Sequence, residues 1–163
     1  METTRTALLH FGDAQTTLTI RCGTSPATTL TLAVGIERTA RAYFHHSPPN
    51  AMEMETAIAT VEDVVMPALR QLPAGLALHT SDAAVRRIAQ LAGVPEGPRM
   101  VLSIEAMEAC FDRLAAVVQG RPSTQDVLPK DNGFAASLLI LRELMHHLGF
   151  DRICWAPDSA SAH

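Results

Sequence analysis

The stretch QTTLTIRC at residues 15–22 alternates between two kinds of side chain. Its even-numbered positions include Leu18, Ile20 and Cys22, whereas its odd-numbered positions are all polar. A strand with one buried face shows this period of two residues. The pattern therefore predicts a β-strand over Gln15–Cys22.

Two runs of the same kind flank this strand, at Thr6–Phe11 and Thr28–Val34. The pair Gly12-Asp13 lies between the first two runs and is typical of a hairpin turn. Residues 23–26 form a similarly short connection between the second and third runs. Three consecutive strands joined by short turns predict an antiparallel three-strand meander.

The apolar period changes to three or four residues after Asn50, as in an amphipathic helix. Asn50 and Glu53 have the spacing of a capping box, and Pro67 is expected to distort the end of this helix. The next predicted elements are a strand over Gly75–Thr80 and a helix that starts at Ser81 or Asp82 and ends at Gly93. A helix from Ser103 to Gly120 and a polar loop over residues 121–132 follow. The last two predicted elements are a deeply buried helix over Gly133–Leu148 and a strand over Asp151–Trp155. The order predicts an α/β domain with a mixed sheet, in which the meander is followed by helical crossovers.

Composition and charge exclude several classes of protein. The 163 residues fit one domain, which we assign to residues 1–157, followed by a tail at 158–163 that is expected to fray. A net charge of −4 argues against nonspecific binding to nucleic acid, which depends on Lys and Arg. The sequence shows no signal-peptide pattern and no apolar run long enough to span a membrane. The scattered Cys22, Cys110 and Cys154 favour reduced thiols in a cytoplasmic protein.

Three ordered segments resemble a known family. These segments are LAVGIERT at residues 32–39 followed by YFHHSPP at 43–49, LHTSDAA at 78–84, and the segment 127–141, which begins VLPKDN. Together with the order of elements, they are similar to the second domain of the Ppx/GppA family of exopolyphosphatases and guanosine pentaphosphate phosphohydrolases, from Ala7 to Ile153. The resemblance implies a ribonuclease H-like, actin-like ATPase fold.

The resemblance also implies where a phosphate ligand binds. The family's first hairpin carries a glycine-rich phosphate loop, D-x-G-G-G-S-T-E-L, and the matching stretch here runs from His10 to Leu18. Gly12 is retained, but Asp13 and Ala14 stand in place of the next two glycines. Glycines let backbone N–H groups approach a phosphate closely, whereas a carboxylate in the loop repels it.

The other two matching turns differ from the family as well. Thr80 and Ser81 stand at the second turn, where the family has glycine, and Lys130 stands in place of an arginine. The family's first domain, which is expected to supply the general base, has no counterpart in these 163 residues. The candidate ligand-binding residues are Gly12, Asp13, Ala14, Gln15, Thr16, Thr80, Ser81, Asp82 and Lys130. No catalytic residue and no protein metal site is assigned, and Mg²⁺ is the one cofactor that the resemblance leaves open.

Each candidate also has a purely structural explanation. Ser81 or Asp82 is explained by ordinary helix capping, and Thr16 by the preference of threonine for strands. His10 is explained as a half-buried strand residue.

The paired histidines have such explanations too. The pair His45-His46, with Glu53 and Glu55, is favoured as a solvated loop over a metal site. The pair His146-His147 suits the negative end of a helix.

Two functional hypotheses remain. The first is a stand-alone Ppx/GppA phosphatase-like domain that takes a phosphate-rich or nucleotide ligand, with phosphoanhydride hydrolysis as its reaction if it is active. The second is a catalytically inactive interaction or regulatory module that acts as a homo-oligomer. Under both hypotheses a homodimer is expected, because one face of the related domain is normally covered by its partner domain.

Overall fold

Six strands form one mixed sheet in the computed structural model, which describes residues 3–120 and 128–157. The strands are β1 (Arg5–Phe11), β2 (Thr16–Cys22), β3 (Thr28–Leu32), β4 (Ala77–Thr80), β5 (Met100–Ser103) and β6 (Arg152–Trp155). The helices are α1 (Ile36–Tyr43), α2 (Ala51–Val65), α3 (Ala83–Leu91), α4 (Ile104–Val118) and α5 (Asn132–Leu148), with a 3-10 segment at Met66–Gln71.

The sheet confirms the predicted α/β class and its topology. Strands β1, β2 and β3 are antiparallel neighbours, as expected for the meander. Strands β1, β4 and β6 then run parallel to one another, and β5 pairs antiparallel to β6 at the edge. The strand order is β3-β2-β1-β4-β6-β5. Strands β4 and β6 are reached through helical crossovers, as the sequence predicts.

The hydrophobic core lies between one face of the sheet and the helices. Alternate strand residues such as Leu9 and Leu18 are buried on this face, whereas Arg21 and Val101 point to the opposite face and are exposed. Helix α5 packs at the centre of the helical layer, in contact with α1, α2 and α4. Its segment Leu138–Leu141 is completely buried, which confirms the predicted deep burial of this helix.

Two elements were not predicted from the sequence. The N-cap residue of helix α1 is Gly35, which has no side chain to cap the helix, so the usual start signal is missing. Strand β5 is only four residues long, and the sequence indicates only the helix that follows it. Ser103 caps that helix by accepting a hydrogen bond from the N–H of Ala106 at 3.1 Å, as predicted. The expected strands at Thr28–Val34 and Gly75–Thr80 are each two residues too long.

Other start and stop signals are confirmed. Asn50 and Glu53 form the capping box at the start of α2. At Pro67 the α-helix changes to the 3-10 segment, because proline removes a backbone donor. Gly149 ends α5 with a φ of 77°. Most of the predicted loop at 121–132 and the predicted tail at 158–163 lie outside the described residues, although Asn132 already belongs to α5.

Within residues 3–120 and 128–157, no helix has both the length and the apolar character that a membrane span requires.

Candidate phosphate-binding turns

Two of the predicted ligand-binding segments lie side by side at one end of the sheet. The hairpin at residues 12–15 follows β1, and the turn at residues 80–82 follows β4. Strands β1 and β4 are parallel neighbours in which Leu9 is level with Thr80, so their carboxyl ends meet at this edge. Ligands of α/β proteins bind at such an edge. The structure therefore brings the two segments together, as the resemblance implies.

The hairpin is closed by its own backbone. The N–H of Gly12 donates to the carbonyl of Gln15 at 2.9 Å. The carbonyls of Gly12 and Asp13 accept from the N–H groups of Ile36 and Arg38 at 3.1 and 2.9 Å. A helix N-terminus normally offers such N–H groups to an anion. In this protein the hairpin carbonyls use two of the first N–H groups of α1.

Gly35 permits this close contact between the hairpin and α1. A Cβ atom at Gly35 would overlap the backbone of Asp13 and of Ala14. The φ of Gly35 is −146°, an extended value that any residue adopts, so the constraint is space and not backbone conformation. The side chains of Asp13, Ala14 and Gln15 are exposed at the hairpin tip.

The hydroxyl groups of two candidate threonines hold the backbone together. Thr16 donates to the carbonyl of Val34 at 2.8 Å, and Thr80 donates to the carbonyl of Leu9 at 3.0 Å. The Thr80 hydroxyl also accepts from the N–H of Asp82 at 3.1 Å. Both threonines are fully buried. Each hydroxyl therefore has a structural role in joining neighbouring segments at this edge.

Asp82 connects the two turns. One carboxylate oxygen accepts from the N–H of Phe11 at 2.5 Å, and the other lies 3.0 Å from Nδ1 of His10. The Asp82 side chain is 13% exposed, so a negative charge lies between the ends of β1 and β4. Because the same edge would have to hold a polyanion, this charge opposes phosphate binding.

Two structural interpretations of these residues were wrong. Asp82 occupies the N-cap position of α3, but its side chain makes no capping hydrogen bond because it is turned towards β1. Ser81, the alternative cap, precedes the N-cap position and is half-buried. His10 was expected to be half-buried, but its side chain is 68% exposed.

Lys130 lies near the start of α5, at the same end of the molecule. Its side chain is exposed, and its carbonyl accepts from the Ser47 hydroxyl at 2.5 Å. The adjacent Asp131 caps α5 and forms an ion pair with Arg87 of α3 at 3.0 Å. A Cβ atom at Gly133 would be 3.8 Å from the side chain of Ile36, so α5 and α1 begin close together. Lys130 itself contacts Ser47, which follows the carboxyl end of α1, whereas the hairpin bonds to the amino end of that helix.

The two turns do not fit a resident Mg²⁺ ion. Magnesium prefers carboxylate and phosphate oxygens and keeps several waters. Both oxygens of Asp82 are already engaged, with Phe11 and His10. Asp13 then offers the only other candidate carboxylate in these two turns, and it is exposed at the tip. One exposed carboxylate does not make a protein metal site.

His45 and His46 lie in an exposed loop, as favoured from the sequence. Glu53 accepts from the N–H of His45 at 2.8 Å and lies 3.2 Å from Nδ1 of His46. Burial opposes ionisation of Glu53, but hydrogen bonds from the backbone of Asn50 and of His45 and from the His46 side chain lower its pKa to about 2. Glu53 therefore stabilises the start of α2 as a carboxylate.

Sequence reasoning missed a cluster in the helical layer. Glu62 of α2 meets Glu143 and His147 of α5, and one ligand atom from each lies within 4.8 Å of the others. The only signal in the sequence is the spacing of Glu143 and His147, which are one helical turn apart. Glu62 is distant in the sequence and carries no such signal.

A groove of about 450 Å³ lies at the opposite ends of β4 and β6, away from the candidate turns. His79, Arg99 and Cys154 are among its lining residues. Burial and the positive charge of Arg99 lower the pKa of His79, which favours its neutral form. The predicted ligand-binding residues are not part of this groove.

Comparison with known proteins identifies the fold. No protein-family model matches the sequence, and no curated protein is significantly similar to it. The structure matches the Aquifex aeolicus Ppx/GppA phosphatase, type II variant, with a TM-score of 0.73 and 14% identity over 94% of this chain and 53% of that one. It also matches an exopolyphosphatase from Cytophaga hutchinsonii, with a TM-score of 0.68 and 10% identity over 96% of this chain and 54% of that one.

A third solved structure, an exopolyphosphatase-like protein, gives a TM-score of 0.68 at 16% identity over 94% of this chain and 55% of that one. The chain thus spans about half the length of the structures that it matches. These matches agree with the resemblance seen in the sequence and with the predicted actin-like, ribonuclease H-like architecture. The chain therefore has the fold of one part of a Ppx/GppA phosphatase.

Proposed function

We propose that this Ppx/GppA-like domain does not hydrolyse phosphoanhydrides and acts as an interaction or regulatory module. The position of Asp82 is the observation that carries the proposal. Its carboxylate accepts from the N–H of Phe11 and lies between the two turns that would bind a phosphate chain. A polyanion at this edge would meet a fixed negative charge.

The backbone of the hairpin supports the same conclusion. Phosphoryl transfer depends on N–H groups, cations or metal ions that stabilise the charge on the phosphate oxygens. Two of the first N–H groups of α1 are bonded to the hairpin carbonyls, and the N–H of Gly12 is bonded to Gln15. These donors would have to break existing hydrogen bonds before they could bind a ligand.

A phosphoanhydride hydrolase is the second candidate, and the pair of His10 and Asp82 favours it. Asp82 holds Nδ1 of His10 at 3.0 Å, while the imidazole is largely exposed. A carboxylate that orients a histidine in this way is typical of a general base. In this alternative, His10 would take a proton from a water molecule that attacks a phosphate chain, and the exposed hairpin tip and Lys130 would contact that chain.

The test is a titration with polyphosphate, guanosine pentaphosphate and ATP, each with and without Mg²⁺. Trp155 is the only tryptophan and is level with Thr80 in the sheet, so its fluorescence reports on this edge, alongside calorimetry. We expect no dissociation constant below about 100 μM, which corresponds to roughly 5.5 kcal/mol. We also expect no release of phosphate.

Tighter binding accompanied by phosphate release would overturn the proposal. The variant His10→Gln then decides the second candidate, because the loss of release with retained binding would assign the base to His10. The variant Asp82→Asn retains an acceptor for the N–H of Phe11 and removes the charge. It is the matched control for the electrostatic argument, and it should bind polyphosphate more tightly than the native chain does.

We further propose that the interaction partner includes a second copy of the chain. Strands β3 and β5 are the two edges of the sheet, and an edge strand presents unpaired backbone groups that can extend a sheet. Val101 on β5 is 44% exposed and adds apolar surface at one edge. Light scattering on the titration samples is expected to give the mass of a dimer, and a monomer at high concentration would contradict this.

A further inference from the structure

Three potential metal ligands converge between two helices of the helical layer. Glu143 and His147 lie one turn apart on α5, and Glu62 faces them from α2. Nε2 of His147 is 2.9 Å from Oε2 of Glu143 and 3.3 Å from Oε1 of Glu62. This cluster is the only group of three such ligands found within residues 3–120 and 128–157.

The distances suit ligands of a single ion. Zinc binds imidazole nitrogen and carboxylate oxygen at about 2.0–2.2 Å, almost always with tetrahedral geometry. Two ligand atoms on such an ion are therefore separated by roughly 3.3–3.6 Å. The Glu62–His147 distance of 3.3 Å lies in this range, the Glu143–His147 distance of 2.9 Å is shorter, and all three ligand atoms lie within 4.8 Å of one another.

The burial of Glu143 indicates that its charge is compensated. Glu143 is only 1% exposed, and an ionised carboxylate that is buried to this extent requires hydrogen-bonding or charged partners. Nη1 of Arg142 donates to Oε1 of Glu143 at 2.7 Å. The guanidinium of Arg142 also lies over the ring of Phe111, 4.5 Å from its centroid. Arg142 thus holds one carboxylate oxygen, and Oε2 remains directed at His147.

The arrangement of charges favours a cation at this point. Two carboxylates face the same nitrogen of His147, and a neutral imidazole can donate only one proton from it. Arg142 is the one guanidinium that pairs with either carboxylate among the described residues. A divalent cation uses the nitrogen lone pair and both carboxylates at once. Glu62 and His147 are 38% and 20% exposed, so an ion and a completing water have access from solvent.

We propose that Glu62, Glu143 and His147 form a binding site for a divalent transition-metal ion of the zinc class. One nitrogen and two oxygen ligands suit Zn²⁺ and its neighbours in the first transition series. The ion joins α2 to α5, and so stabilises the helical layer. The site is separate from the turns at the sheet edge, and its existence does not depend on the function proposed for them.

The test is a titration of the full chain with Zn²⁺ after treatment with EDTA, followed by calorimetry and by thermal unfolding. Co²⁺ provides a second readout, because its visible absorption reports on coordination. We expect one ion per chain and a rise in the unfolding midpoint. The variants Glu62→Gln and His147→Gln are expected to weaken binding by at least about tenfold and to abolish that rise.

The adjacent histidine supplies the matched control. His146 faces Glu108 of α4 at 3.6 Å and is not part of the cluster, so His146→Gln should bind the ion as the native chain does. Both test variants alter partly exposed residues, and their unfolding midpoints in EDTA show whether they fold. Glu143 is left unchanged, because its removal would leave Arg142 without its buried partner.

The proposal is overturned if Zn²⁺ does not bind, or if binding is the same in the native chain, Glu62→Gln and His147→Gln. The second result would mean that an adventitious ion binds elsewhere, at one of the other histidines or a cysteine. Loss of binding in His146→Gln but not in His147→Gln would also contradict the assignment.

Discussion

The sheet edge and the α2–α5 interface use polar residues in opposite ways. At the edge, the polar groups of the hairpin and of the turn after β4 bond to neighbouring backbone, as Thr80 bonds to Leu9. At the interface, the side-chain ends of Glu62, Glu143 and His147 face one another. A phosphate site made of backbone N–H groups is lost when carbonyls of the same chain bond to those N–H groups. A side-chain cluster can instead arise wherever two helices pack.

The difference has a physical basis. Backbone N–H groups must be paired, either with a ligand or with other groups of the chain. In this protein the hairpin carbonyls are the partners of two N–H groups of α1. Side-chain carboxylates cannot pair with each other and therefore require a cation, a proton or an arginine. The N–H groups of Gly12, Ile36 and Arg38 are thus already bonded, whereas Arg142 is the one guanidinium that pairs with the carboxylates of the cluster among the described residues.

The largest expected effect comes from Gly35→Ala, which tests whether the hairpin is truly closed against α1. The added Cβ would overlap the backbone of Asp13 and Ala14. We expect a loss of about 3 kcal/mol in the free energy of unfolding, the upper part of the range for overpacking. The thermal midpoint should fall by roughly 6–12 °C.

Gly97→Ala is the matched control for this substitution. The nearest atom to its added Cβ is the Arg99 carbonyl oxygen at 3.8 Å, which is an ordinary contact. Its stability should change by no more than about 0.5 kcal/mol. If Gly35→Ala is as stable as this control, the hairpin moves away easily and the N–H groups of Ile36 and Arg38 in α1 are accessible to a ligand.

A smaller effect is expected for Thr80→Val, which tests the structural role of the buried hydroxyl. Valine retains the shape, but it removes the donor to the Leu9 carbonyl and the acceptor for the N–H of Asp82. We expect a loss of about 2 kcal/mol, as for a buried hydrogen bond with unpaired partners, measured by urea unfolding.

Thr19→Val is the control, since Thr19 is a half-buried strand residue and valine also favours strands. Its effect should stay within about 0.5 kcal/mol. Equal stability of the two variants would show that the Thr80 hydroxyl is dispensable for the fold and available for another role.

The smallest effect is expected when the two replaced glycines are restored, in the double variant Asp13→Gly/Ala14→Gly. The carbonyls at positions 12 and 13 belong to the backbone and should remain bound to α1, and the Asp82 carboxylate is still present. We therefore expect no binding of polyphosphate up to about 1 mM, as for the native chain.

Adding Asp82→Asn to the double variant separates the effect of the Asp82 charge from that of the hairpin carbonyls bound to α1. Binding that appears only in the triple variant would assign the main repulsion to Asp82. Binding below about 100 μM in the double variant would show that two side chains alone had blocked the site, and the contrast with the α2–α5 cluster would be lost.

The sequence by itself determined the elements that have local signals. The period of two in β2, the capping box at Asn50 and the terminal glycine at Gly149 each depend on neighbours in the chain, and each is found in the structure. The pairing of the meander follows from short turns. The resemblance in turn indicated which residues lie near the sheet edge, because the order of segments fixes where strand ends meet.

Only the tertiary structure decided what the polar groups at that edge contact. Helix α1 lacks a side-chain cap because the hairpin carbonyls fill that role. A cap that comes from another segment cannot be predicted from the residues next to the helix. The same holds for the direction of Asp82 and for the meeting of Glu62 with α5. These contacts join segments that are distant in the sequence, so their geometry is set by how strands and helices pack and not by the residues on either side.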